Sequence, residues 1–345
     1  MKKIINSNEA IRAFEKVASS DEANVYNYFK ELNPVFFLDS RAIYKQGRSS
    51  FAFENCPGEV FGTSSPEFCR ALRDVTSGEG QEKEKINTLH SSSLLGLMCF
   101  YAVSENNKLK ATIPFNGENI DFEFDKAVFE KTNRVFSPSV GLSSIDIALY
   151  GRANGERVAL YLESKFSEYL HIGNYTGSDK KAQYRPFYEI LKRHLGDIKY
   201  EIAHKSNGEE DGKLHLNGKN HYCEGIKQMV SHLIGAVNSD DNNNVDKIYL
   251  APILFDFRRD EDKETKFYKK CDSLFKDYEE QYSKLSKGLN ELLGKINDKE
   301  LFKYATAKRT EQIVVSDRVL TYQNFFEKYA PEYKLKETVK EFYRL

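Results

Sequence analysis

Three charged side chains in the segment 143–166 have types and spacing that suit metal-dependent hydrolysis. Asp146 and Glu163 supply carboxylates, and Lys165 supplies an amine two residues after the second. Hard oxygen ligands suit Mg²⁺, which usually takes one or two protein carboxylates and completes its coordination with water and phosphate. An ammonium group beside such an ion can orient an attacking water or offset charge that develops on phosphorus. The trio therefore suits phosphodiester hydrolysis, provided that the fold brings it together.

A predicted β-hairpin brings these side chains together. The dipeptide Asn154-Gly155 is the strongest short-range hairpin signal. A two-residue turn there sets a register in which Asp146 lies directly opposite Glu163. Side chains alternate between the faces of a strand, so Lys165 shares a face with both carboxylates. The opposite face is apolar and is expected to be the core side: Ile147, Leu149, Leu160 and Leu162.

Two directly opposed carboxylates are unusual in a hairpin selected only for stability. Their Cβ atoms would lie about 5 Å apart, and like charges at that distance are destabilising. A divalent cation between them reverses the sign of the interaction. The open alternative is a solvated strand face on which Lys165 merely pairs with Glu163.

These residues resemble a known nuclease signature. Ile145-Asp146, a gap of sixteen residues and then Glu163-Ser164-Lys165 resemble the PD-(D/E)xK motif of restriction-endonuclease-like nucleases, with Ile145 in place of the proline. The resemblance implies that Asp146, Glu163 and the backbone carbonyl of Ser164 bind Mg²⁺ or Mn²⁺. It also implies that Lys165 assists hydrolysis of the phosphodiester.

A predicted helix over about 223–237 adds two further candidates. Gln228 and His232 lie one helical turn apart, away from the apolar stripe of that helix. The pair resembles the Gln-x-x-x-Tyr motif that follows ExK in RecB-like members of the superfamily, with His232 in the tyrosine position. The resemblance implies that Gln228 orients the scissile phosphate or its metal-bound water, and that His232 contacts the nucleic-acid backbone.

The order of elements predicts an α/β fold, with a restriction-endonuclease-like mixed β-sheet flanked by helices. The strands of this sheet are expected within 111–124, 143–166 and 247–256, and a helix apolar almost all round is expected at 84–103. The segment 197–220 is polar. We divide the chain into an N-terminal helical and irregular region of unknown role, a nuclease core and a helical C-terminal extension: 1–84, 85–256 and 257–345.

The composition of the chain bears on its cellular location and partners rather than on its chemistry. The 345 residues carry a formal net charge of -1, which gives no global attraction for nucleic acid. No apolar stretch approaches the roughly 20 residues that span a bilayer. The five cysteines are an odd number without a CxxC pair, which favours reduced thiols. We therefore expect a cytoplasmic protein with no membrane partner.

The function expected from these residues is a metal-dependent endonuclease that acts on DNA, in restriction or another defence role. Two alternatives stay open: a catalytically inactive nucleic-acid-binding or assembly protein that kept the fold, and an RNA or DNA-repair nuclease. Cleavage of both strands would require two active sites. A homodimer through the apolar seam Tyr268–Ile296 of a predicted long helix is therefore a further hypothesis.

Other side chains carry weaker hypotheses. Glu84 is a candidate third carboxylate, and three groups of residues are candidates for a zinc site, a serine nucleophile and a DNA-binding groove. The residues concerned are His204, His215, His221 and Cys223 for zinc, the segment 90–93 for the serine, and Lys180, Lys181, Arg185, Lys192 and Arg193 for the groove. None of these groups matches a familiar motif.

Overall fold

The computed structural model describes most of the chain. The described residues are 21–33, 42–45, 50–53, 57–77, 86, 88, 91–136, 142–170, 175–179, 182–196, 198–204, 206, 208, 210–216, 225–239, 241, 244–259, 263–302 and 312–345. Among the candidates named above, Glu84, Lys180, Lys181, His221 and Cys223 lie outside these ranges.

The described part of the chain begins with a helix, a hairpin and three helices, and then alternates strands with helices. The helices are α1 (Asp21–Leu32), α2 (Pro57–Val60), α3 (Pro66–Ser77), α4 (Ser92–Phe100), α5 (Arg185–Leu195), α6 (Gly225–Val237), α7 (Lys266–Gly294), α8 (Tyr322–Asn324), which continues as a π-helix (Phe325–Tyr329), and α9 (Glu337–Tyr343). The strands are β1 (Ala42–Lys45), β2 (Ser50–Phe53), β3 (Leu109–Phe115), β4 (Glu118–Arg134), β5 (Leu142–Ala153), β6 (Glu156–Lys165), β7 (Tyr175–Asp179), β8 (Ile198–His204), β9 (Glu210–Leu216), β10 (Lys247–Leu254), β11 (Ile313–Val315) and β12 (Leu320–Thr321).

The principal sheet is mixed. Its order is β11-β10-β6-β5-β4-β3, and β12 pairs with the far end of β10. The strands β3 to β6 form an antiparallel meander, whereas β10 runs parallel to β6 and to β11. The predicted α/β class and the mixed sheet flanked by helices are confirmed.

The predicted hairpin turn at Asn154-Gly155 is confirmed, and a turn of the same kind joins β3 to β4 at Asn116-Gly117. Asn116 and Gly117 have φ of 51° and 87°, and Asn154 and Gly155 have φ of 50° and 83°. Positive φ at both central residues is the requirement of a type I′ turn, whose twist matches that of the flanking strands. The second turn fixes the β5–β6 register as predicted, with Ala153 paired to Glu156 and each following pair one step further out.

Helices cover both faces of the sheet at its functional end. On one face, α4 approaches so closely that a Cβ atom on Gly96 would lie 2.8 Å from Cδ1 of Ile147. On the other face, His232 of α6 bonds to Glu163 of β6. The predicted helix at 84–103 is shorter than expected, because Ser91 caps it by accepting a hydrogen bond from the Leu94 amide.

Two regions contain strands that the sequence reading missed. The polar segment 197–220 contributes β8 and β9, which form a small antiparallel sheet with β7. The region after residue 257 contributes β11 and β12 to the principal sheet, so the prediction of a purely helical C-terminal extension is incomplete. Short strands of this kind depend on pairing with β10, which local sequence does not reveal.

The long helix α7 packs within the chain. Gly288 lies against Leu191 of α5, and the Tyr282 hydroxyl donates to the backbone oxygen of Ser316 over 3.1 Å. Most residues of this seam are covered within the chain: Cys271, Phe275, Tyr278, Tyr282, Leu285, Leu289, Leu292 and Ile296. The structure therefore gives no support to a homodimer through this seam, and the homodimer stays an untested hypothesis. None of the helices in the described ranges has the length and apolar character that crossing a lipid bilayer requires.

Candidate active site

The candidate site lies where β5 and β6 separate. The last regular pair between these strands is Ile147 with Leu162. One residue further out, the Ser164 amide donates to Oδ2 of Asp146 over 2.7 Å. The predicted register is therefore confirmed as far as the pair Ile147–Leu162. The next predicted pair, Asp146 with Glu163, is not part of the regular ladder. The aspartate side chain takes the position of the next ladder bond.

Glu163 is the centre of the hydrogen-bonded group. Its side chain is 3% exposed, and its two oxygens have different partners. Lys165 Nζ donates to Oε1 over 2.7 Å, and His232 Nε2 lies 2.6 Å from Oε2. Lys165 Nζ also donates to Oε1 of Gln228 over 3.1 Å. Together with Asp146, this places all five sequence-predicted side chains in one group.

The face that carries these residues is covered rather than solvated. Ala148, Ala159 and Tyr161 on that face are fully buried, and the Lys165 side chain is 13% exposed. The face is therefore not solvated, although the Lys165–Glu163 pair that the simple alternative also expects is present. Gln228, near the first turn of α6, is exposed, so the group reaches solvent at that side.

The two carboxylates have opposite electrostatic character. Burial and the nearby charge of Glu163 raise the pKa of Asp146 well above its ordinary value, and Lys165 only partly offsets them. Burial would also raise the pKa of Glu163, but the charge of Lys165 and the interactions with Lys165 and His232 outweigh it and lower that pKa to about 2. Glu163 is therefore ionised across the physiological range, and a second negative charge on Asp146 is disfavoured without a cation.

Lys165 remains an ammonium group in this environment. Burial would lower its pKa, but the charges of Glu163, Glu168 and Asp146 outweigh that effect and raise the pKa above its ordinary value. A charged lysine cannot accept a proton. Its available chemistry is hydrogen-bond donation and stabilisation of negative charge.

Ser164 connects the site to two other elements. It is fully buried, and its hydroxyl donates to the Ser92 backbone oxygen at the start of α4 over 3.0 Å. Oγ of Ser164 also lies 2.7 Å from the Tyr322 hydroxyl of α8. These contacts fix the position of the Ser164 backbone, whose amide holds Asp146 and whose carbonyl is the third predicted metal ligand.

His232 does not lie where the resemblance predicts. Its side chain is buried, with Nδ1 2.5 Å from Ser143 Oγ and Nε2 facing Glu163. The predicted contact with a nucleic-acid backbone does not agree with this position, because both ring nitrogens have partners inside the protein. The sequence reading missed Ser143, since a serine in a strand carries no signal of a distant histidine partner.

Glu130 is a second residue that the sequence reading missed. It has a φ of 50° in the middle of β4, which is uncommon for a residue other than glycine. The neighbouring pairs, Phe129 with Ile147 and Lys131 with Ile145, place it beside Asp146 in the register. Its negative charge contributes to the raised pKa of Asp146. A positive φ at glutamate has no sequence signature.

The donor set fits a hard divalent cation with few protein ligands. The described residues contain no group of three or more His, Cys, Asp or Glu side chains arranged to hold a metal ion. Two carboxylates and one backbone carbonyl nevertheless match the habit of Mg²⁺, which retains several waters. Each carboxylate oxygen has two acceptor positions, so the existing hydrogen bonds leave acceptor capacity on both side chains.

The remaining candidates whose side chains the structure describes have other positions. His204 lies exposed at the end of β8, and no described contact links it to a metal site. Ser91 caps α4, and Ser92 contributes its backbone oxygen to Ser164, so neither forms part of a described serine triad. Arg193 pairs with Glu291 of α7 over 2.7 Å.

Comparison with known proteins adds no relative. No protein-family model, curated protein or solved structure matches the chain. The resemblance to the PD-(D/E)xK superfamily therefore rests on the motif residues alone and remains a prediction.

Proposed function

We propose that the protein is a metal-dependent nuclease that hydrolyses phosphodiester bonds of DNA with Mg²⁺ or Mn²⁺. The observation that carries the proposal is the group formed by Asp146, Glu163, Lys165 and Gln228, in which Lys165 Nζ donates both to Glu163 and to Gln228. Without a cation, this site disfavours a second negative charge. A divalent ion bound to both carboxylates removes that conflict and supplies Lewis-acid stabilisation of a phosphate and of an attacking water.

Lys165 has the role of positioning and charge stabilisation. An ammonium group carries three N–H donors, of which one is given to Glu163 and one to Gln228. The third is available for the attacking water or for a phosphate oxygen. Because its pKa is raised, Lys165 keeps its charge while negative charge develops on the phosphate.

Gln228 has the role of a contact at the solvent side of the site. Its Oε1 accepts from Lys165, which orients the amide so that its two N–H donors face away from the lysine. The amide is therefore suited to hydrogen-bond a phosphate oxygen or a water. Its exposure distinguishes it from His232, which is buried.

The proposed DNA nuclease and the alternative of an RNA or DNA-repair nuclease can be distinguished by their substrates. A DNA nuclease and an RNA or repair nuclease share the same metal and lysine chemistry, so purified protein should be incubated with plasmid DNA, linear DNA, flap or gapped DNA and single-stranded RNA. We expect Mn²⁺- or Mg²⁺-dependent cleavage of plasmid DNA that EDTA abolishes. Cleavage of RNA alone, or of structured DNA alone, would contradict the proposed substrate and support the proposed metal-dependent chemistry.

The other open alternative is a catalytically inactive binding protein. It predicts retention of nucleic acid in a gel-shift assay without cleavage of any substrate in that set, with either metal. The neighbouring carboxylates of Asp146 and Glu163 favour the enzyme, because binding alone requires no such pair. The charged Lys165 and the exposed Gln228 in the same group are consistent with catalysis. The restriction or other defence role implied by the resemblance is part of the same proposal.

A further inference from the structure

The ring of His232 is held at both nitrogens inside the protein. Nε2 lies 2.6 Å from Glu163 Oε2 and Nδ1 lies 2.5 Å from Ser143 Oγ. All three side chains are buried. An ionised carboxylate only accepts hydrogen bonds, so Nε2 must carry a proton and donate to Glu163. The Ser143 hydroxyl then fixes the ring from the other side.

A close approach of α6 makes this arrangement possible. A Cβ atom on Gly235 would lie 3.1 Å from Cβ of Asn133 and 3.2 Å from Cβ of Ser143. A side chain at position 235 would therefore push the helix away from the ends of β4 and β5. Glycine allows the helix backbone to lie directly on these strands, and His232, one turn earlier, comes within hydrogen-bond distance of both partners.

Glu163 is consequently held from two sides. Lys165 takes Oε1 and His232 takes Oε2, so the plane of the carboxylate is fixed by one strand residue and one helix residue. Groups that hydrogen-bond a metal-ligating carboxylate orient it toward the ion and strengthen binding. A solvent-facing residue that contacts nucleic acid would instead act on substrate binding.

We propose that His232, fixed by Ser143, is a positioning residue that orients the Glu163 carboxylate for divalent-metal binding. This inference rests on the proposed function, because it assigns the role of a side chain at the proposed metal site. His232 acts through Glu163 and does not touch the nucleic acid. Its substitution therefore weakens metal binding and leaves the apparent affinity for nucleic acid unchanged.

Two matched substitutions separate the contacts of the ring. The amide nitrogen of glutamine reaches the position of Nε2, so His232→Gln keeps a donor to Glu163. The shorter side chain of asparagine reaches only the position of Nδ1, so His232→Asn keeps a partner for Ser143 and loses Glu163. Circular dichroism and thermal unfolding establish that each variant is folded before metal binding is measured.

The experiment is isothermal titration of the metal-free protein with MnCl₂, followed by a gel-shift titration with DNA. We expect wild type and His232→Gln to bind Mn²⁺ with similar affinity, and His232→Asn to bind about tenfold more weakly, with equal DNA affinity at a CaCl₂ concentration that saturates all three proteins. Equal Mn²⁺ affinity for both variants, or a loss confined to DNA binding, would overturn the inference and leave the metal site standing.

The remaining outcomes are also decisive. Absence of Mn²⁺ binding by the wild type would overturn the proposed metal-dependent function, and the positioning role with it. If neither His232 variant folds, Ser143→Ala gives the same test, because it releases the ring without removing the Glu163 partner. We expect Ser143→Ala to weaken Mn²⁺ binding severalfold, and unchanged affinity would overturn the inference.

Discussion

The Ser164 amide donates to Oδ2 of Asp146 over 2.7 Å, immediately beyond the last regular pair of the β5–β6 hairpin. The carboxylate of Asp146 accepts the hydrogen bond that a backbone oxygen of β5 would accept in a continuous ladder. The two strands can therefore separate without leaving the Ser164 amide unpaired.

Asp146 and Glu163 should affect stability in opposite directions. Asp146→Asn keeps an acceptor for the Ser164 amide and removes a charge that the site disfavours, so we expect it to stabilise the metal-free protein by roughly 1 kcal/mol at pH 8. Glu163→Gln removes the negative charge that pairs with the buried ammonium group of Lys165 and should destabilise by about 3 kcal/mol. The measurement is urea unfolding of both variants and wild type in EDTA.

The pH dependence supplies the control for that pair. A raised pKa in the folded state favours the protonated form, so the stability associated with Asp146 is complete at low pH and is lost as pH rises through its folded pKa. The advantage of Asp146→Asn should therefore shrink on acidification. The pKa of Glu163 is lowered to about 2, so its contribution is present above the unfolded value of about 4.3 and is lost toward pH 2. Equal signs for the two variants at pH 8 would contradict this assignment.

Divalent metal should stabilise the folded protein. An ion that binds only the folded state raises stability by about 2.7 kcal/mol at one hundred times its dissociation constant. We expect MnCl₂ to raise the melting temperature of wild type by several degrees and to have no effect on Asp146→Asn. Asp125→Asn is the matched control, since Asp125 lies on β4 outside the group and should keep the full response. A response of Asp146→Asn equal to that of wild type would argue against metal binding at Asp146.

Tyr322 should contribute to stability through Ser164. Tyr322→Phe removes the hydroxyl 2.7 Å from Ser164 Oγ and keeps the buried ring. Ser164 still has the Ser92 oxygen as a partner, so we expect a loss of about 1 kcal/mol. Differential scanning calorimetry checks the value, and Tyr329→Phe, a partly buried position on the π-helix, serves as the comparison. A larger loss in Tyr329→Phe would contradict a special role for the Ser164 contact.

Gly235 should be intolerant of a side chain. The Cβ atom of Gly235→Ala would lie 3.1 Å from Asn133 Cβ and 3.2 Å from Ser143 Cβ, which forces α6 outward. We expect a loss of roughly 1–3 kcal/mol in chemical denaturation, the range of an overpacked interface. Gly294→Ala is the control, because a Cβ atom at that end of α7 meets nothing within 4 Å. Equal stability of the two variants would show that α6 does not need its close approach.

Local signals were sufficient to predict the parts of the fold that position the site. The Asn154-Gly155 turn set the register of β5 and β6, because a two-residue turn leaves one pairing. Helical spacing located α6, and the apolar run 248–255 located β10. The grouping of Asp146, Glu163 and Lys165 followed from alternation along the strands.

Non-local contacts explain what the sequence reading missed. The segment 197–220 is polar, and among the described strands its β8 and β9 pair only with each other and with β7, so no apolar pattern of the segment predicted them. The role of His232 depends on Ser143, 89 residues away in the sequence, and on the absence of a side chain at Gly235. No window of local sequence contains that information, which arises only when α6 packs on the sheet.

Plasmid cleavage by paired lysine variants tests the central claim most directly. Lys165→Ala removes the ammonium group from the site, whereas Lys287→Ala removes an exposed lysine of α7. Supercoiled plasmid should be incubated with wild type and both variants in MnCl₂ or MgCl₂, with EDTA controls. We predict metal-dependent cleavage by wild type and Lys287→Ala, reduced at least a hundredfold in Lys165→Ala. Equal cleavage by all three proteins, or none by wild type, would contradict a nuclease site at Asp146, Glu163 and Lys165.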